Sequence, residues 1–126
     1  MSNLPSDLRY TKDHEWLRLE SDGTATVGIT DHAQAALGDV TFVDLPKIGA
    51  TFAEHATFGT VESVKAASDL YCPVAGTIVA VNADLNNSPD LVNREPYTGA
   101  WMIRIKLDNP AAAQGLLTAA QYQALL

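Results

Sequence analysis

The sequence predicts a mainly β protein, built as two short sheets packed face to face or as a flattened barrel. Three observations carry that reading. Short runs such as Trp16–Leu19 and Trp101–Lys106 alternate apolar and polar residues at a period of two. Turn formers, among them Asp22-Gly23, Gly49, Gly76 and Asn86-Asn87-Ser88-Pro89, break the chain at short intervals. β-Branched residues gather between those breaks, as in Thr77-Ile-Val-Ala-Val81, where a pleated surface favours them.

The elements follow in order. Residues 1–9 read as an N-terminal extension to a single domain spanning 1–126. Trp16–Leu19, the Asp22-Gly23 turn and the β-branched run Thr24–Ile29 make a hairpin. A short helix is expected over 31–37, with Asp31 as its cap, Gln34 three residues on, and Gly38 to end it. Val40, Phe42 and Val43 carry a strand toward Leu45-Pro46. A second β stretch runs from Thr57 to Val64 and resumes from Leu70. Thr77–Val81 and Trp101–Lys106 supply two further strands, with turn chemistry at residues 86–89 between them. Thr118 and Gln121 form a capping box that opens a C-terminal amphipathic helix over 118–126. Gly38–Val43 and Gly76–Val81 look alike, a faint sign of two similar halves.

Composition narrows the function classes. A chain of 126 residues fits one core, and a domain of that size buries roughly two thirds of the surface its unfolded chain exposes. Fifteen acidic residues against eight basic ones give a net charge of −7, which repels nucleic acid and suits partners with basic docking surfaces. The single cysteine, Cys72, excludes an internal disulfide and fits a reducing compartment. Its alternation with Leu70 and Val74 marks it as a small core residue. No apolar signal core opens the chain and no run is long enough to span a bilayer, so a cytoplasmic monomer with no membrane association is expected.

Enzymatic chemistry finds little support. His14-Glu15-Trp16-Leu17-Arg18 has the start of a zinc-protease pattern, but Arg18 stands where a second histidine is required. His32 and His55 have no partner at ligand spacing, so no metal site is expected. Neither a phosphate-binding glycine loop nor a nucleophile elbow is present. Lys65 as a Schiff-base lysine needs a desolvated pocket, which a turn lined with alanines does not suggest.

The most informative stretch is Gly59–Gly76. A strand ending at Val64 and another opening near Leu70 leave Lys65 at or beside the turn, among the small residues Ala66, Ala67 and Ser68 and flanked by Glu62 and Asp69. On spacing alone, an ordinary solvated loop lysine and a lysine presented for modification are both open readings.

Glu62-Ser-Val-Lys-Ala-Ala-Ser-Asp69 followed by Tyr71-Cys-Pro-Val-Ala-Gly76 resembles the lipoylation segment of the glycine cleavage H-protein family. His14-Glu15-Trp16, Gly28–Gln34, Gly38–Pro46 and Val92–Tyr97 occur in that family's order and approximate spacing, from about Tyr10 to the last helix. The resemblance implies a barrel-sandwich hybrid fold and one covalent lipoic acid on Lys65. It also implies the role of a non-catalytic carrier of an aminomethyl intermediate. The carrier's partners are then glycine decarboxylase (P protein), aminomethyltransferase (T protein), dihydrolipoamide dehydrogenase (L protein) and a lipoylating enzyme. A lipoyl-lysine arm spans on the order of ten ångströms or more. In the family the loaded arm folds back into a surface groove, and the matching positions Glu15 and Asp69, with Glu62 beside the lysine, are candidates for arm docking or recognition. A carboxylate there can pair with the ammonium of the cargo.

Two rival arms remain. Biotin carriers place methionine on both sides of the lysine, whereas Val64 and Ala66 flank Lys65. The alternatives within lipoyl chemistry are a lipoyl-relay protein or a lipoyl domain of a 2-oxo acid dehydrogenase. The His-Glu-Trp opening, the Asn93-Arg-Glu-Pro-Tyr97 segment and the terminal helix favour the glycine cleavage family over the second.

Overall fold

Two antiparallel sheets organise the chain, of six and three strands, in a computed structural model that describes residues 5–126, the side chain of residue 110 apart. The larger sheet takes β1 (Arg9–Tyr10), β2 (Glu15–Leu19), β3 (Thr24–Ile29), β5 (Thr51–Phe52), β8 (Gly76–Val81) and β9 (Ile103–Leu107), in the order β1-β2-β3-β9-β8-β5. The smaller takes β4 (Val40–Asp44), β6 (Thr57–Ser63) and β7 (Ala67–Tyr71), in the order β4-β6-β7. Neither sheet closes on itself, so of the two arrangements expected from sequence the sandwich is the one adopted. The expected hairpins are present: Leu19 pairs with Ala25 around the Asp22-Gly23 turn, and Glu62 pairs with Ala67 around Lys65.

The main core lies between the sheets. Leu17, Val27, Ile103 and Ile105 from the larger sheet meet Val43, Val61 and Leu70 from the smaller, with Cys72 fully buried among them. A second cluster covers the other side of the larger sheet and joins Leu8, Tyr10, Trp16, Tyr97 and Tyr122. This second layer changes one reading. Alternation along Trp16–Leu19 implies one wet face, yet Trp16 and Leu17 are both buried and every residue of β3 is buried, because β2 and β3 are covered on both sides. Gly28 seats Trp16: a Cβ there would lie 2.7 Å from the indole ring, whose Nε1 donates to the carbonyl of Pro96 at 2.8 Å.

Several boundaries differ from expectation. Within the expected N-terminal extension, residues 1–4 lie outside the described residues; Leu8 is buried and Arg9 already pairs with Leu17. The helix α1 (Asp31–Leu37) is capped by Thr30, whose hydroxyl accepts from the Ala33 amide, and not by Asp31, which receives the Gln34 side chain instead. β7 opens at Ala67, three residues before Leu70. The expected turn at 86–89 holds the end of a short helix, α2 (Asp84–Asn87), and a second, α3 (Leu91–Arg94), follows it. After a 3-10 segment at Pro110–Gly115, the last helix α4 (Ala119–Gln123) carries the expected Thr118–Gln121 capping box but is shorter than 118–126.

Candidate functional site

The smaller sheet builds a projecting tip. β6 and β7 are joined by Val64, Lys65 and Ala66 alone, and Ser63 shapes that turn. Its Oγ accepts from the amides of Lys65 at 3.3 Å and Ala66 at 3.2 Å, and its own amide donates to the Ala66 carbonyl at 2.8 Å. Serine suits this place because a short hydroxyl can mimic a backbone turn. Val64, Lys65 and Ala66 are all exposed, and among the described residues Lys65 enters no ion pair. The lysine is therefore open to approach from solvent.

From the tip, β7 leads into a groove of about 170 Å³. Ser68, Asp69 and Leu70 line one side, and Ala33, Ala36 and Leu37 line the other from one face of α1. Ile29 and Val61 add apolar surface, and Asp13, His14 and Glu15 complete the lining. The groove begins at Ser68, three residues beyond Lys65 along the chain. α1 buries none of its residues fully, so its apolar stripe faces this groove as well as the core.

Glu15 is the unusual group. It is only 2% exposed, and each carboxylate oxygen accepts one hydrogen bond: Oε1 from the Thr11 hydroxyl at 2.8 Å, Oε2 from the Tyr71 amide at 3.2 Å. Burial pushes its pKa up to about 7, against the smaller opposing pull of those two donors. An ionised carboxylate can accept about four hydrogen bonds, so Glu15 keeps capacity for a cation that enters the groove.

Of the three carboxylates expected to dock or recognise the arm, two border the groove and one does not. Glu15 and Asp69 both border the groove. Alternation along β7 turns Leu70 inward and Asp69 outward, which sets Asp69 at the rim and Glu15 at the floor. Glu62 does not border the groove; it lies on the outer face of the smaller sheet, the face Asp69 shares in register, between Phe42 and Ala67 and beside the tip.

Sequence reasoning used His14 only as part of the His14-Glu15-Trp16 match, without a role of its own, and passed over Tyr122. The Tyr122 hydroxyl sits 2.6 Å from His14 Nδ1 and 2.9 Å from the Thr30 hydroxyl, and its ring stacks on Tyr10 at 4.9 Å. Burial, then the neighbouring His32 ring at 4.8 Å, lowers the His14 pKa, while Asp13 pulls the other way. His14 holds a positive φ of 69°.

Among the described residues, no cluster of three or more His, Cys, Asp or Glu is arranged to hold a metal ion, and no helix is long and apolar enough to cross a membrane.

Comparison with known proteins decides the family. The profile of the family described as Glycine cleavage H-protein matches residues 8–126. The chain belongs to that family. A glycine cleavage system H protein of Opitutus terrae is 64% identical over 126 residues, covering 100% of this chain and 99% of the relative. One of Klebsiella pneumoniae is 58% identical, covering 100% and 98%. The crystal structure of a glycine cleavage system H protein from Mycobacterium marinum superposes with a TM-score of 0.89 at 39% identity, over 96% of this chain and 97% of that one. The barrel-sandwich expectation thus agrees with a solved member of the glycine cleavage H-protein family. Family membership also fixes the general role: the chain is the carrier component of a glycine cleavage system and works with that system's other components.

Proposed function

We propose that Lys65 carries a lipoyl group in amide linkage and that the chain serves as a mobile-arm carrier without turning over a substrate itself. The observation that supports this most is the pairing of an exposed lysine on a tight tip with a groove that opens three residues along the same strand. When bound, the lipoyl group would supply a disulfide that takes up an aminomethyl unit at glycine decarboxylase (P protein), is left as a dithiol once aminomethyltransferase (T protein) removes the unit, and is returned to the disulfide by dihydrolipoamide dehydrogenase (L protein).

The chain's own residues shelter the cargo. Ala33, Ala36 and Leu37 from α1, with Ile29, Val61 and Leu70, exclude water from the groove. Glu15, ionised by the arrival of an ammonium group, forms a charge-assisted hydrogen bond at the floor, and Asp69 adds negative potential at the rim. Glu62, with Asp44 on the same sheet face and exposed Phe42 between them, gives the lipoylating enzyme an acidic, partly apolar surface to recognise beside Lys65. Cys72 takes no part: burial raises its pKa to about 12, which leaves almost no thiolate for exchange with the arm. We read residues 1–126 as one carrier domain in a cytoplasmic setting, in keeping with a single cysteine that leaves no internal disulfide to form.

The test is an intact-mass measurement with peptide mapping on protein from a lipoate-replete host that retains its lipoylating enzyme. One lipoyl amide per chain, mapped to Lys65, is expected. A different added group, or Lys65 free in every molecule, contradicts the proposal.

A further inference from the structure

The Asn93-Arg-Glu-Pro-Tyr97 segment has no part in the carrier reading so far, yet its first residue makes three side-chain hydrogen bonds near the lysine hairpin. Asn93 stands on α3, and its Nδ2 donates to Gln34 Oε1 at 2.9 Å and to the Gly38 carbonyl at 2.8 Å. Its Oδ1 accepts from the Val40 amide at 2.8 Å. Both amide donors and one acceptor position are therefore engaged, and two of the three partners are backbone groups on either side of Asp39, where the chain passes from α1 into β4.

That stretch supports the tip. Gly38 and Val40 flank Asp39, whose carbonyl accepts from the amide of Val64, the residue before Lys65, at 3.0 Å. The stem of Lys65 lies along the same stretch: a Cβ built on Gly38 would stand 3.6 Å from Lys65 Cε. Gly38 can hold this place because its φ of 79° suits a residue with no side chain. The turn's shape comes from Ser63, but its heading relative to the body is tied through the Val64–Asp39 rung.

We infer that Asn93 is a positioning residue for the lysine hairpin, clamping the Gly38–Val40 stretch so that the tip presents Lys65 in one direction. The inference rests on Lys65 as the attachment point. Its physical content is preorganisation: a tip already oriented costs less ordering when an acylating enzyme binds it. Loss of the clamp should therefore weaken recognition of the unmodified carrier and leave the chemical step intact.

The test uses the unmodified full chain with Asn93→Asp, which keeps the shape and the acceptor but removes both donors, and Asn93→Ser as a smaller neutral second variant. Hydrogen exchange at the Val64 amide should accelerate about tenfold, the loss of roughly one good hydrogen bond. The Met102 amide, bonded to the Val27 carbonyl in the larger sheet, should keep its wild-type rate. With a lipoate–protein ligase, lipoate and ATP, KM for the carrier should rise about fivefold with kcat unchanged. Val64 exchange unchanged in both variants overturns the inference, as does acceleration spread equally to Met102, which marks a purely global loss of stability. A fall in kcat at constant KM also overturns it. Failure of the wild-type chain to accept lipoate at Lys65 sinks the attachment reading instead, and the exchange comparison then still decides whether Asn93 orients the hairpin.

Discussion

The tip at Lys65 and the floor at Glu15 are opposite solutions to the placement of one charged side chain. Lys65 stands on three exposed residues, and among the described residues it has no ionic partner. Glu15 is buried at the start of β2, holds two hydrogen bonds, and has its pKa pushed up to about 7 by its own desolvation. The difference teaches what a carrier needs: one end must be reachable by several enzymes, and the other must withhold a labile cargo from water. β7 joins the two, since it starts beside Lys65 and ends at Tyr71, whose amide is bonded to Glu15.

The strongest way to break the comparison is at the tip. Lys65→Arg should abolish carrier activity in a reconstituted glycine cleavage assay, because a guanidinium cannot form the amide, while the melting free energy moves by no more than about 0.5 kcal/mol, as for exposed positions generally. Activity retained by that variant would remove the arm from Lys65.

At the floor the effect should be smaller and of mixed sign. Glu15→Gln should speed hydrolysis of the loaded arm about ten- to a hundredfold, the range of one charge-assisted hydrogen bond of about 1.5–3 kcal/mol. The same change should stabilise the unloaded protein at pH 8. The folded-state pKa of Glu15, about 7, lies above its ordinary value of 4.5, so its contribution is intact below that ordinary value and is lost as pH rises through about 7. The loss is on the order of 3 kcal/mol for a shift of this size. Denaturant melts of both proteins from pH 5 to pH 8 check it: the curves should diverge as pH rises, and parallel curves would contradict the buried carboxylate.

Gly38→Ala sharpens the tip side. A φ of 79° with ψ of −157° is strained for any residue with a Cβ and should cost about 1–3 kcal/mol by chemical denaturation. Tyr122→Phe has the smallest expected effect, about 1 kcal/mol for a lost hydroxyl network, together with a rise of the His14 pKa measurable by NMR titration as the freed ring gains solvent. An unmoved His14 titration would show that the Tyr122 hydroxyl does not set the His14 environment.

The tip was legible in the sequence because its cause is local. Val64 and Leu70 bound the apolar alternation, and small residues after Lys65 mark a turn; only the length was misread, since Ser63 tightens the turn and lets pairing resume at Ala67. The floor was legible only through family resemblance. Glu15 is buried because Thr11 and, from 56 residues away, Tyr71 satisfy it, and no period within β2 encodes that. The same holds for the apolar wall: Ala33, Ala36 and Leu37 read as an ordinary helix face until β7 packs opposite them. Asn86–Pro89 was misread because turn residues also end short helices, and Asp31 was taken for the cap that its neighbour Thr30 supplies.

The most direct measurement compares amide chemical shifts of the lipoylated, cargo-free chain with those of the same chain after loading. Loading should move the amides of Ser68 to Tyr71 and those of α1 from Ala33 to Leu37, with the Tyr71 amide shifting most because it is bonded to Glu15. Changes confined to Val64, Lys65 and Ala66 would mean that the loaded arm stays in solvent, and the link from tip to groove would be wrong.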